Sequence, residues 1–348
     1  MSYAQSGWLN TANALGYVMG AVSSFVLLGR YTPRSLFMAG LVMCTVSIGM
    51  TGLDRSLAWL TAMRVISGVG AAWMFSCGSV LVQQIYAAND QARGVATGLY
   101  FGGAGIGIVA SGLVVAPALG LLGPSSWPMA WGALGLLAVV AGAWPLRLAW
   151  TLPSGASAKP GEEPLRLASR GLMPSLMAYT SFAAGYIGYM TFVFAWLREQ
   201  EHSAALGIAT WTLLGLGVCL SPLGWRRALS TWPGATTLSA SSLLTLAGVV
   251  VALSSDSIAA ALLSASCFGL GMFIAPASVA ILLRQRLPAG AVARGMALFT
   301  TLFSLGQAVG PILSGWLADL NGLSATLWPG VVLLALAVAL PLVRGPSR

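Results

Sequence analysis

The sequence predicts an all-α integral membrane protein built as two helical bundles, and three observations carry that prediction. Of its 348 residues, 57% are hydrophobic and only 7% are charged, whereas a soluble domain carries roughly 25% charged residues to face water. The apolar residues fall in long unbroken runs without two-residue alternation, so in lipid the backbone must satisfy itself as helices and not as a barrel. A polar stretch rich in Pro, Gly and Ser interrupts these runs near the middle of the chain and divides them into two groups.

With about 20 apolar residues to a crossing, eleven spans are expected. The first five are Trp8 to Leu28, Ser35 to Leu53, Leu57 to Ile85, Gly94 to Pro117 and Trp127 to Leu146. They form an N-terminal bundle within residues 1–146. The polar stretch LPSGASAKPGEEPLRLASRG lies in residues 147–171 and reads as a linker. Residues 172–348 then supply six spans: Leu172 to Leu197, Ala204 to Trp225, Gly234 to Leu253, Ile258 to Leu283, Gly295 to Leu317 and Leu323 to Val343.

Short cytoplasmic loops of membrane proteins collect Lys and Arg. One set of alternate connections holds Arg30, Arg34, Arg93, Arg147, Lys159, Arg166, Arg170, Arg226, Arg227, Arg284, Arg286, Arg294, Arg344 and Arg348, while the other holds only Arg55 and Arg198. The linker and the C-terminus are therefore expected in the cytoplasm, in the inner (plasma) membrane of a cell. The basic residues are scattered singly, which suits topology and not nucleic acid. Eleven crossings then put the N-terminus outside, although its first seven residues lack the basic region of a signal peptide.

An internal repeat links the two groups. VQQIYAANDQARGVATG at Val82 aligns without gaps on LRQRLPAGAVARGMALF at Leu283, pairing Gln84 with Gln285, Arg93 with Arg294 and Gly94 with Gly295. The displacement is six spans, as in transporters built from two parallel repeats. On that spacing the first group lacks one span, and eleven helices of an expected twelve are present.

The third span carries the strongest local signal, LTAMRVISGVGAAW. Arg64 lies about two turns into an apolar helix, where a charge costs about 2.5 to 3.5 kcal/mol unless it faces protein or water; snorkelling to the outer interface is the competing reading. The spacing of Leu60, Arg64, Gly68 and Gly70 resembles the fourth-helix motif of the major facilitator superfamily. That resemblance implies a role for Arg64 in substrate or proton coupling. The fourth span, RGVATGLYFGGAGIGIVASG, and the tenth, RGMALFTTLFSLGQAVGPILSG, are similar to the family's glycine-rich gating helix. Gly98, Gly102, Gly105, Gly306, Gly310 and Pro311 are its expected gating or packing residues, because small residues let helices approach closely in lipid. A proline kink is expected only in the second group, at Gly310-Pro311. The family's acidic latch residue after the second helix has no counterpart in LLGRYTPRSLF, where Arg30 and Arg34 remain.

Polar stripes on helical faces mark candidate cavity walls, since lipid would leave their groups unpaired. Asn10, Asn13 and Tyr17 form one stripe, Tyr179, Tyr186 and Tyr189 a second, and Thr300, Ser304 and Gln307 a third. Hydrogen bonding between helices explains each stripe taken singly as well as ligand binding does. LNTANALGY and YTSFAAGYIGYMTF resemble the bacterial YbfB/YjiJ group of facilitators. The resemblance implies a permease, a secondary transporter of a small solute by alternating access, with a proton gradient as its candidate energy source and no cofactor. A non-transporting sensor, or a truncated inactive remnant of a transporter, is the alternative.

The remaining chemistry is sparse. Cys44, Cys77, Cys219 and Cys267 sit in apolar runs without a CxxC pair and read as small hydrophobes. All eight carboxylates, Asp54, Asp90, Glu162, Glu163, Glu199, Glu201, Asp256 and Asp319, fall in loops or at span ends. The one histidine, His202, has no partner for a metal, so neither an intramembrane enzyme nor a metal site is expected.

Overall fold

A computed structural model describes residues 3–152 and 171–343, so most of the expected linker, with Lys159, Glu162, Glu163, Arg166 and Arg170, lies outside the described residues. The helices before it are α1 (Tyr3–Leu27), α2 (Pro33–Met50), α3 (Leu57–Ile85), α4 (Asp90–Leu122) and α5 (Trp127–Thr151). After it come α6 (Met173–Glu199), α7 (Ala204–Gly224), a short α8 (Arg226–Thr231), α9 (Gly234–Ser254), α10 (Ile258–Met272), α11 (Ile274–Arg286), α12 (Ala289–Asn321) and α13 (Trp328–Ala339). The described residues form no strand.

The residues that interrupt the apolar runs are the ones that start the next helix. Thr32, Ser56, Asn89, Ser203 and Ser257 each accept a hydrogen bond from a backbone N–H of the first turn of α2, α3, α4, α7 and α10, satisfying donors that lipid could not. Pro33 follows its cap at the first helical position, where its missing N–H costs nothing.

Ten spans among the described residues are long and apolar enough to cross a membrane, α10 and α11 together making one of them. The less apolar α1, 25 residues long, packs beside them as an eleventh membrane-length helix. Several boundaries differ from the sequence expectation, α1 starting at Tyr3, α5 running to Thr151 and α12 starting at Ala289, and two of the differences turn on a proline. α4 runs past Pro117 to Leu122, as transmembrane helices tolerate a proline by local adjustment. The expected ninth span is two helices meeting at Phe273, because Pro276 cannot donate to the Met272 carbonyl and its ring crowds it. The break in the second group thus falls there, while α12 continues unbroken through Pro311.

In the first group α3 is central, with α1 on one side and α2 on the other. A Cβ on Gly68 would meet the Asn13 carbonyl oxygen at 2.3 Å, and one on Gly70 the Gly40 carbonyl oxygen at 2.7 Å, so the two motif glycines hold the two crossings. In the second group α6 stands against both α12 and α13, and α10 lies between α7 and α9. Two seams join the groups: α4 on α7 and α8, and α1 on α12.

α4 is held mainly by the second group. Only 6% of its apolar window is buried, against 47% for α12. Among the described residues no helix stands against both α4 and α5 as α6 stands against α12 and α13. Instead an apolar groove of about 590 Å³ runs between α2, α3, α4 and α5.

Candidate functional site

A cavity of about 230 Å³ lies between the two groups of helices. Its walls are Tyr17 of α1, Ala71 and Phe75 of α3, Ala104 of α4, Phe182 and Tyr186 of α6, Met272 of α10 with Phe273, Pro276 of α11, and Phe303 and Gln307 of α12. None of these described lining residues is charged. The polar groups are two phenols and one amide, and the Gln307 amide donates to the Tyr186 hydroxyl. The walls come from both groups of helices, so the cavity's shape depends on how the groups sit together.

Aromatic rings carry the contact across the cavity. Phe75 of the first group stacks on Phe303 of the second, with centroids 5.9 Å apart and planes at 22°. Phe303 in turn stacks on Tyr179 at 4.7 Å and Tyr186 at 5.7 Å, while Phe75 meets Tyr17 edge-on at 6.3 Å and Phe101 at 4.8 Å. These spacings fall in the range where ring pairs attract beyond their buried area.

The structure brings Tyr17, Tyr186 and Gln307 together. Asn13 instead donates to the Arg64 carbonyl at 3.0 Å and the Ser67 hydroxyl at 2.9 Å, fastening α1 to α3. Asn10 is exposed on α1. Arg64 lies with its guanidinium 4.5 Å over the Trp131 ring of α5, away from the lining residues of this cavity. Tyr179 is fully buried behind Phe303, with no hydrogen-bond partner for its hydroxyl. Tyr189 turns into the second group, bonding the Ser264 hydroxyl at 2.8 Å and stacking on Phe268. Thr300 is fully buried and Ser304 bonds the Thr301 carbonyl, so of the third stripe only Gln307 reaches the cavity.

The glycines divide by helix. Cβ atoms on Gly98, Gly102 and Gly105 would press on Leu229, Pro222 and the Gly215 carbonyl of the second group, at 2.5, 2.7 and 2.4 Å. Those on Gly306 and Gly310 would press on the Thr180 and Ala184 carbonyls of α6, within their own group. Sequence reasoning missed Phe75, Phe182 and Phe303, since a phenylalanine in an apolar span looks like a lipid-facing one. Phe303 had a signal, standing beside Ser304 and between Thr300 and Gln307 on one helical face.

A membrane-length helical chain in two groups around a central cavity is the architecture of a multi-pass transporter. Residues 1–342 match the family described as "Uncharacterised MFS-type transporter YbfB", and the chain belongs to that family of the major facilitator superfamily. The uncharacterised MFS-type transporter YceJ of Bacillus subtilis is 28% identical over 228 residues, which are 63% of this chain and 56% of that protein. The niacin transporter NiaP of Acinetobacter baylyi is 28% identical over 90 residues, 26% of this chain and 20% of that one. The chain thus spans little more than half the length of the first of these relatives. Among solved structures, the fucose:proton symporter FucP of E. coli superposes with a TM-score of 0.76 at 13% identity, covering 99% of this chain and 92% of that one. The human organic anion transporter MFSD10 gives 0.67 at 18% identity, over 96% and 83%. At such identities the likeness is one of fold.

Proposed function

We propose that the protein is a secondary active transporter that carries a small solute by alternating access, with the helices of residues 1–146 and 172–348 rocking about the central cavity. The observation that carries this reading is the placement of Tyr17, Tyr186 and Gln307 around one aromatic cavity whose walls come from both groups. Its uncharged lining suits a small, partly aromatic solute that stacks on the phenylalanines and hydrogen-bonds the Tyr186–Gln307 pair. Arg64, stacked on Trp131, then acts by holding α3 and α5 at the outer end of the first bundle. The face from which the linker leaves is the cytosolic one, on the distribution of arginines, and the membrane is the inner (plasma) membrane. An ion gradient supplies the energy, the proton gradient being the first to test, since the structurally similar FucP is a proton symporter.

The test is uptake into proteoliposomes. The panel pairs small aromatic acids, niacin among them because the partial relative NiaP carries it, with sugars such as fucose. Saturable uptake of an aromatic solute, abolished in Gln307→Ala and accelerated by an imposed proton gradient, is expected. Saturable uptake indifferent to Tyr186→Phe and Gln307→Ala would move the site elsewhere. A protein that carries no solute while its cavity still binds one would favour the sensor reading.

A further inference from the structure

A second, polar pocket of about 240 Å³ opens at the linker face, between the two groups of helices. Its first-group walls come from Gln83 at the end of α3 and from Asp90, Arg93 and Thr97 at the start of α4, and its second-group walls from the α8 turn and from Arg284 on α11. One Asp90 carboxylate oxygen accepts from Arg93 at 3.1 Å and from Arg284 at 2.9 Å, the latter across the seam. Two guanidinium groups against one carboxylate leave the cluster with one uncompensated positive charge.

The donors and acceptors of the pocket do not balance either. Arg93 directs its Nε and Nη2 N–H groups to the Tyr86 and Ala87 carbonyls and to Asp90. The Thr97, Ser230 and Thr231 hydroxyls are committed to backbone carbonyls at 2.8, 3.1 and 2.8 Å, and the Gln285 side-chain oxygen accepts from the Gly234 N–H. Gln83 is 7% exposed, and its Nε2 donor is buried with no acceptor. A buried donor without a partner carries a full desolvation cost. What Gln83 lacks is an acceptor, and what the ion cluster has in excess is positive charge.

We infer that this pocket binds a phosphate-type oxyanion, held by Arg284 and Gln83, and that the anion bridges the two groups and stabilises the form closed at the linker face. The Asp90 carboxylate opposes the anion, which sets a modest affinity and favours contact through Arg284, whose side chain is a third exposed, over Arg93, which is more buried and already bonded through Nε and Nη2. Because the walls come from both groups, an opening at this face dismantles the site. Differential binding then shifts the equilibrium towards closure. The regulatory consequence rests on the alternating-access reading, but the binding itself does not.

The experiment uses the full chain in phosphatidylcholine nanodiscs, melted with potassium phosphate and with potassium chloride at matched ionic strength. Saturable stabilisation by phosphate is expected. Its apparent affinity falls about tenfold or more in Arg284→Ala and in Gln83→Leu, and is unchanged in Arg286→Ala, a neighbour on the same helix that does not line the pocket. Gln83→Leu leaves the Asp90 ion pairs intact and decides the matter if Arg284→Ala is unstable. Nanodiscs containing phosphatidylglycerol separate the sources. If a lipid headgroup fills the site, they stabilise the protein without phosphate, through the same two residues. Stabilisation that does not saturate, or that persists unchanged in Gln83→Leu, overturns the site whether or not the protein transports.

Discussion

Replacing Gly105 by alanine tests whether the α4 seam is a moving surface. The new methyl group would lie 2.4 Å from the Gly215 carbonyl oxygen and 2.6 Å from the Cys219 nitrogen. Both are backbone atoms that no rotamer change can withdraw. Restoring ordinary contact at 3.4 Å from 2.4 Å requires α4 and α7 to part locally by about 1 Å. Overpacking of this kind costs about 1 to 3 kcal/mol. If it acts only on the arrangement seen here, it shifts the balance between conformations by roughly 5- to 150-fold. Gly103, on the same helix, has nothing within 4 Å of an added Cβ, so Gly103→Ala should be neutral or stabilising by up to about 1 kcal/mol, from helix propensity alone. Spin labels on α4 and α7, read by pulsed distance measurement, should show a second, longer population in Gly105→Ala with little loss of melting temperature. A single unchanged distance with a lowered melting temperature would mean static packing. An unchanged distance and an unchanged melting temperature would refute the contact itself.

Two tyrosines on α6 should respond differently to loss of the hydroxyl. Tyr186→Phe strands the Gln307 amide and should destabilise the protein by about 1 to 2 kcal/mol, whereas Tyr179→Phe removes a buried hydroxyl that has no partner and should be neutral or stabilising; thermal melts of the two variants check this. A double-mutant cycle between Arg64→Gln and Trp131→Leu should return a coupling of about 0.5 to 2 kcal/mol, as expected for a partly desolvated cation over an indole, and additivity would dissolve the pair. Cysteine at Asn10 should react with a water-soluble thiol reagent faster than cysteine at Asn13, whose amide is engaged by α3, and equal rates would contradict the assigned packing.

Helix positions were legible because lipid forces one solution on the backbone, and the caps Thr32, Ser56, Asn89, Ser203 and Ser257 mark the starts in plain sequence. The break at Phe273 was also written, in Pro276, but a run of apolar residues hides a helix end that hydropathy alone cannot see. The site was only partly legible. Tyr186 and Gln307 were each marked by a polar stripe, yet their pairing depends on the rotation of α6 against α12, which no local pattern encodes. Tyr189, three residues on from Tyr186 in the same stripe, turns to Ser264, because a helical face is wide enough to serve two neighbours. Asp90 looked like an ordinary loop carboxylate, and only the approach of α11 gives it Arg284 as a partner 194 positions away.

The contact between Phe75 and Phe303 and the ion pair between Asp90 and Arg284 close the molecule at two depths with forces of different character. Ring stacking is held by apolar surface, whose cohesion weakens on cooling and strengthens with excluded salts. The ion pair, with Asp90 largely open to solvent, is loosened by ordinary salt through screening. Temperature and ionic strength therefore act as separate keys: cold favours parting of the aromatic closure while leaving the charged one shut, and high salt does the reverse.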